Sequence, residues 1–133
     1  MSFSFNFTRK ALLSVTAVLE AGTGLALVVS PAVPVSLLFG TTLETLVALT
    51  IGRIAGAALL SLGAACWLAR NDERSRAAAG MVAAMLLYNI AVVALLADAR
   101  VRSGLSGVGL WPGVVLHLAM AVWCNACLRM RGG

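Results

Sequence analysis

The sequence has few charged residues. Only 11% of its 133 residues are Asp, Glu, Lys or Arg, whereas 61% are hydrophobic. Soluble proteins contain about 25% charged and about 45–50% apolar residues. With five acidic residues and a single lysine, the chain cannot cover the surface of a soluble domain with charge. The sequence therefore predicts an integral membrane protein.

Other residue types that carry chemistry are also scarce. The chain has one histidine and three cysteines, and no His/Cys/Asp cluster surrounds the histidine at the spacing of a metal site, so we expect no metal. The net charge of +5 comes from basic residues at the ends of apolar runs. Such residues orient membrane helices, so we expect no nucleic-acid partner. No motif identifies a cofactor, which stays unknown.

Four apolar runs are long enough to cross a bilayer, which takes about 20 helical residues. They cover about 11–29, 46–69, 77–97 and 113–128, so residues 1–133 are predicted to form one domain, an all-α four-helix membrane bundle. The first run resembles a signal peptide, but Glu20 interrupts it, and we expect it to remain as a transmembrane helix. Residues 35–40 are apolar and too short to cross, which predicts a half-turn or a short interfacial helix.

Basic residues are distributed unequally between the two ends of the predicted bundle. Two of them, Arg100 and Arg102, flank one end. Seven flank the other end: Arg9, Lys10, Arg70, Arg74, Arg76, Arg129 and Arg131. Because cytoplasmic loops are enriched in Lys and Arg, this distribution predicts that both termini are cytoplasmic.

Polar residues interrupt three of the four runs at a similar depth. An α-helix rises about 1.5 Å per residue, which places Glu20, Tyr88, Asn89 and His117 each about 15–20 Å from the basic flank of its own run. A charged residue at mid-membrane costs about 2.5–3.5 kcal/mol on insertion scales, and such residues usually face a protein interior. The sequence therefore predicts a polar layer inside the bundle.

Arg53 lies in the second run, some 5–10 Å nearer the opposite face by the same count. Its long side chain reaches inward as readily as outward. We expect Glu20, Arg53, Tyr88, Asn89 and His117 to converge on a small polar pocket. Two alternatives stay open: a structural network in which Glu20 pairs with Arg53, and unrelated orientations of the five side chains. For His117, a hydrogen-bonded structural role and a proton relay through Glu20 and Tyr88 both stay open.

Small residues recur in the second run. Gly52 and Gly56 have the small-xxx-small spacing that lets membrane helices approach closely, and we interpret them as packing positions. Glycine-lined helices also suit association. Besides the lipid bilayer, the expected partners are therefore further copies of the chain or a larger membrane complex.

Cys124 and Cys127 form the W-C-x-x-C pattern of thiol oxidoreductases, which some four-helix membrane enzymes also carry. The pair lies at the predicted cytoplasmic end, where disulfides rarely persist. Cys66 lies at a similar depth, so a three-thiolate metal site is an alternative. Cysteine often serves as a small apolar core residue, and we expect that role here.

Four stretches, residues 19–27, 52–70, 84–89 and 110–123, carry a resemblance that covers nearly the whole sequence. In them the chain resembles small four-span bacterial inner-membrane proteins, and its layout is similar to that of the DoxX-like group. It implies a four-helix architecture and a location in the bacterial cytoplasmic membrane. It implies no substrate.

These observations favour a small, non-enzymatic membrane protein that acts as an accessory or binding component of a membrane complex. Its polar layer would hold a lipophilic ligand. One alternative is a small proton-coupled transporter that uses Glu20 and His117. The other is a quinone- or thiol-linked membrane oxidoreductase.

Overall fold

The chain folds into five α-helices in the computed structural model, which describes residues 8–72 and 74–130 and contains no strand within them. The all-α prediction is confirmed for this part of the chain. Arg131, which contributes to the predicted orientation, lies outside the described residues. The helices are α1 Arg9–Val29, α2 Ala32–Phe39, α3 Leu46–Ala69, α4 Arg76–Ser103 and α5 Leu110–Arg129.

Four of these helices, α1, α3, α4 and α5, are long and apolar enough to cross a membrane. The main difference from the sequence prediction is the length of α4, which continues to Ser103 rather than ending near 97. Asp98 and Arg102 form an ion pair of 2.7 Å one turn apart in the extension, and this spacing supports a helix. Gly104, whose φ is +66°, ends α4 in the left-handed conformation.

The three longest helices begin with the same local signal. The side chains of Thr8, Thr45 and Ser75 accept hydrogen bonds from backbone N–H groups three residues later, at 3.0–3.1 Å. A hydroxyl at this position satisfies one of the N–H groups that the first turn leaves unpaired. These residues therefore fix where α1, α3 and α4 start.

Helices α1 and α3 pack with their backbones in close contact. A Cβ atom added to Gly24 would lie 2.6 Å from the carbonyl oxygen of Gly56, and one added to Gly56 would lie 2.7 Å from that of Gly24. Gly52 lies against Pro31 in the same interface. Only residues without a side chain allow this approach. The other close backbone packing joins α4 and α5, so the bundle consists of two helix pairs.

Apolar side chains fill the bundle between the two pairs and also cover its outside. The fully buried core includes Leu12, Leu13, Val82 and Met85. Many large apolar side chains point outward, among them Val18, Ile54, Leu87 and Leu118. An apolar exterior around a packed core matches a bilayer and not water. The structure therefore indicates a multi-pass membrane protein.

Short α2 joins α1 to α3, and its end is hydrogen bonded to the connection between α4 and α5. The carbonyl oxygens of Leu37, Leu38 and Phe39 accept hydrogen bonds from the N–H groups of Gly109, Gly107 and Ser106, at 2.8–3.3 Å. Carbonyls in a last helical turn have no partner within the helix, and here the second connection supplies one. The two connections therefore hold this end of the bundle together.

Candidate functional site

A cavity of about 60 Å³ lies between α1, α4 and α5. α1 and α5 contribute both polar and apolar side chains to its wall, and α4 contributes two polar ones. The lining residues are Leu19, Glu20, Thr23, Tyr88, Asn89, Leu116, His117 and Met120. The cavity therefore contains four of the five residues that the sequence predicted to converge.

Glu20 and Tyr88 link the first helix pair to the second. The Tyr88 hydroxyl donates a hydrogen bond of 3.3 Å to Oε2 of Glu20, and Glu20 is only 6% exposed. Its other oxygen, Oε1, has no hydrogen-bond partner in the described part of the chain. Half of a buried carboxylate therefore remains available to a molecule in the cavity.

Asn89 fixes the orientation of His117. The Asn89 side chain is 1% exposed, and its Nδ2 donates a 2.7 Å hydrogen bond to the carbonyl oxygen of Met85. A carbonyl only accepts hydrogen bonds, so the oxygen and nitrogen of the Asn89 amide cannot exchange places. The atom that faces His117 Nδ1 at 2.8 Å is therefore Oδ1. Because Oδ1 also only accepts, the hydrogen lies on Nδ1. In neutral His117 the second nitrogen, Nε2, is therefore a hydrogen-bond acceptor.

Tyr88 also contacts the imidazole ring of His117. The two ring centroids are 5.7 Å apart and the ring planes meet at 77°, an edge-to-face arrangement. This geometry is a favourable one for aromatic rings. Tyr88 on α4 therefore contacts both the carboxylate on α1 and the histidine on α5.

Arg53 does not reach this site. It lies on α3, its side chain is exposed, and it forms no ion pair with Glu20. Gly63 of α3 packs against Ala17 and Ala21 of α1, which puts Glu20 level with the region of Gly63. Arg53 is ten residues away along α3, or about 15 Å. The predicted Glu20–Arg53 pair is absent because the glycine contacts set both the level and the rotation of α3.

The size of the cavity limits what it can hold. Pockets for drug-sized ligands measure about 300–1,000 Å³, whereas this cavity of about 60 Å³ accepts a few water molecules or one small polar group. It is not sealed from the exterior, because Thr23 and Leu116 in its wall are exposed on the outside of the bundle. A polar group can therefore lie in the cavity while an attached apolar chain extends toward the bilayer.

The three cysteines lie in the apolar core instead. Cys66 and Cys124 are 0% exposed and Cys127 is 2% exposed, and all three belong to the cluster around Leu12 and Met85. No group of three or more His, Cys, Asp or Glu residues within 8–72 and 74–130 is placed to hold a metal ion. Burial keeps these thiols from a substrate.

Sequence reasoning did not identify every group that forms the site. It missed the Met85 carbonyl, which orients Asn89, although an asparagine in a helix often bonds the carbonyl four residues earlier. It also missed the apolar walls formed by Leu19, Leu116 and Met120, which have no distinguishing sequence signal. No protein-family model, curated protein or solved structure matches this chain.

Proposed function

We propose that this chain is a non-enzymatic membrane protein that binds the polar group of a small lipophilic ligand between α1, α4 and α5. The observation that supports this function is the cavity lined by Glu20, Tyr88, Asn89 and His117, which opens sideways on the apolar exterior. In this view the protein is an accessory or binding component of a larger membrane assembly.

Unsatisfied hydrogen-bonding atoms favour a ligand over a purely structural network. In a structural network the polar groups would satisfy one another, because an unpaired polar group in an apolar interior costs free energy. Here Oε1 of Glu20 and Nε2 of His117 have no hydrogen-bond partner among the described residues. Both residues line the same cavity, so a polar group bound there would meet both side chains.

The lateral opening favours a ligand that is dissolved in the bilayer. The cavity is too small to enclose a lipophilic molecule, but its apolar wall of Leu19, Leu116 and Met120 leads to the exterior of the bundle. Toward the end of the bundle that carries Arg76, the fully buried side chains of Leu12 and Val82 fill the interior. These side chains close the route to Glu20 from that end of the bundle, which favours entry from the hydrocarbon.

Two glycines support association with another membrane helix. Gly24, Gly52, Gly56 and Gly63 each meet another part of this chain, whereas a Cβ added to Gly22 or Gly80 would meet no atom within 4 Å. Glycine destabilises a helix by about 1 kcal/mol relative to alanine, and small residues are typical of membrane helix interfaces. A second copy or a partner subunit packed on these faces gives both glycines a role.

Orientation and location complete the proposal. The excess of basic residues at the end of the bundle that carries Arg9, Arg70 and Arg76 supports an arrangement with both termini in the cytoplasm. The resemblance to small four-span proteins supports the bacterial cytoplasmic membrane as the location.

A proton-coupled carrier is the second candidate function. Tyr88 contacts both Glu20 and His117, the two groups that would exchange a proton. Glu20→Gln in reconstituted vesicles tests this candidate, because loss of proton-coupled flux is expected for a carrier. Unchanged flux in this variant would remove the candidate.

The ligand itself can be sought by purification in native-like lipid particles. Mass spectrometry of the bound molecules is expected to show one lipophilic compound enriched over bulk lipid. His117→Ala should lower its occupancy by roughly tenfold, since a hydrogen bond to a buried group is lost. Leu118→Ala, next to His117 but exposed on the outside of α5, is the matched control and should retain the compound. Equal occupancy of the compound in the unaltered protein, His117→Ala and Leu118→Ala would contradict the proposal.

A further inference from the structure

The unpaired polar atoms of Glu20 and His117 are one-sided in their hydrogen-bonding chemistry. In neutral His117, Nδ1–H is used by Asn89, so Nε2 offers a lone pair. Tyr88 donates its hydroxyl hydrogen to Glu20, so its phenolic oxygen can only accept a hydrogen bond from a further partner. An ionised Glu20 offers acceptor sites at Oε1. Glu20 Oε1 and His117 Nε2 are therefore acceptors. The Thr23 hydroxyl, on the exposed part of the cavity wall, and the second Nδ2 hydrogen of Asn89 can still donate.

We propose that the ligand group that binds in this cavity is a hydrogen-bond donor, either a hydroxyl or a protonated amine, rather than an ether, a carbonyl or a phosphate. This inference depends on the proposed ligand-binding function and specifies the chemistry of the same site. A group that only accepts would face Glu20 Oε1 and His117 Nε2 without a hydrogen to share. Both atoms would then stay unpaired while the ligand lost its own hydration.

The preference for a donor does not depend on whether Glu20 is protonated, because Asn89 fixes which nitrogen of His117 carries the hydrogen. A protonated Glu20 supplies one donor at Oε1, which a hydroxyl accepts while it donates to His117 Nε2. An ether can accept from Glu20, but it leaves Nε2 unpaired. The histidine therefore requires a donor in both cases, since the 2.7 Å bond from Asn89 to the Met85 carbonyl fixes which nitrogen carries the hydrogen.

Three photoreactive probes with the same decyl chain test the inference. One ends in a hydroxyl, one in a primary amine and one in a methyl ether. Each carries a diazirine next to the polar group. The protein is reconstituted in phosphatidylcholine particles and irradiated with each probe, and the labelled residues are identified by mass spectrometry. Labelling at Leu19, Leu116 or Met120, which line the cavity, reports occupancy.

We expect the alcohol and the amine to label these residues roughly tenfold more strongly than the ether, because the ether loses at least one hydrogen bond to a buried acceptor. Unlabelled decanol should compete with the alcohol probe. Glu20→Gln replaces one oxygen by an NH₂ donor. Labelling by the ether should therefore rise relative to labelling by the alcohol, and labelling by the amine should fall most. Leu118→Ala should leave all three ratios unchanged.

The outcomes separate the two proposals. Equal, competable labelling by the alcohol and the ether would overturn the donor preference and leave the ligand site standing. The absence of competable labelling at the cavity residues with any probe would overturn the ligand site as well. The probe series on the unaltered protein decides between these results even if Glu20→Gln does not fold.

Discussion

Replacing Gly24 by alanine should weaken the α1–α3 pair. The added Cβ would lie 2.6 Å from the Gly56 carbonyl oxygen and 2.7 Å from the Leu60 nitrogen, whereas ordinary contact begins at 3.4 Å. Both obstacles are backbone atoms, so the helices must separate by some tenths of an ångström along much of their contact. Overpacking of this kind typically costs about 1–3 kcal/mol.

Gly22→Ala provides the matched control two residues away on the same helix. A Cβ at Gly22 meets nothing of this chain within 4 Å, so this change keeps the gain of about 1 kcal/mol in helix propensity without a steric cost inside the monomer. The propensity gain is the same in both variants and cancels in the comparison. Gly24→Ala should therefore have a free energy of unfolding lower than that of Gly22→Ala by about 1–3 kcal/mol.

Reversible unfolding in mixed detergent micelles, followed by far-UV circular dichroism, measures this difference. Gly56→Ala should behave as Gly24→Ala does, because its Cβ would meet Gly24 and Val28 at 2.7–2.8 Å. Equal unfolding free energies for Gly22→Ala and Gly24→Ala would refute the close backbone contact between α1 and α3.

Three further experiments test other parts of the structure. Asn89→Leu should lower the free energy of unfolding by about 1–3 kcal/mol, because it leaves His117 Nδ1 without its partner. The same unfolding assay measures it, and an unchanged value would contradict the Asn89–His117 bond. Gly80→Leu should not lower that free energy, since leucine is a better helix former than glycine, but it should shift the protein to a smaller assembly in size-exclusion chromatography with light scattering. An unchanged mass would count against association through this face. Cys66, Cys124 and Cys127 should react with a membrane-permeant maleimide only after unfolding, as followed by mass spectrometry, and fast labelling of the folded protein would show that these thiols are accessible.

The sequence predicts the positions of the long helices because the length of an apolar run and its basic flanks depend on local composition alone. The predicted run 46–69 coincides with α3. The predicted end of α4 lies six residues before the observed one, because the last turns of α4 carry Asp98, Arg100 and Arg102 and are therefore not apolar. Charge marks the end of an apolar run and not the end of a helix.

Depth along a helix is also predictable, since each residue adds about 1.5 Å. For this reason Glu20, Tyr88, Asn89 and His117 were expected at one level, and all four line the cavity. Rotation about the helix axis depends on contacts with other helices and is not encoded locally. Arg53 shows the consequence, because the glycine face of α3 turns toward α1 and leaves the arginine exposed.

The position of the cavity follows from how the two helix pairs meet. Within each pair the backbones pack closely, and at one end of the bundle backbone hydrogen bonds tie α2 to the α4–α5 connection. Further along the bundle, the hydrogen bond from Tyr88 to Glu20 joins α1 to α4. A ligand that bonds both Glu20 and His117 would bridge α1 and α5, which belong to different pairs. Binding at this site would therefore stabilise the arrangement of the two pairs relative to each other, and this arrangement determines the outer surface that a partner helix contacts.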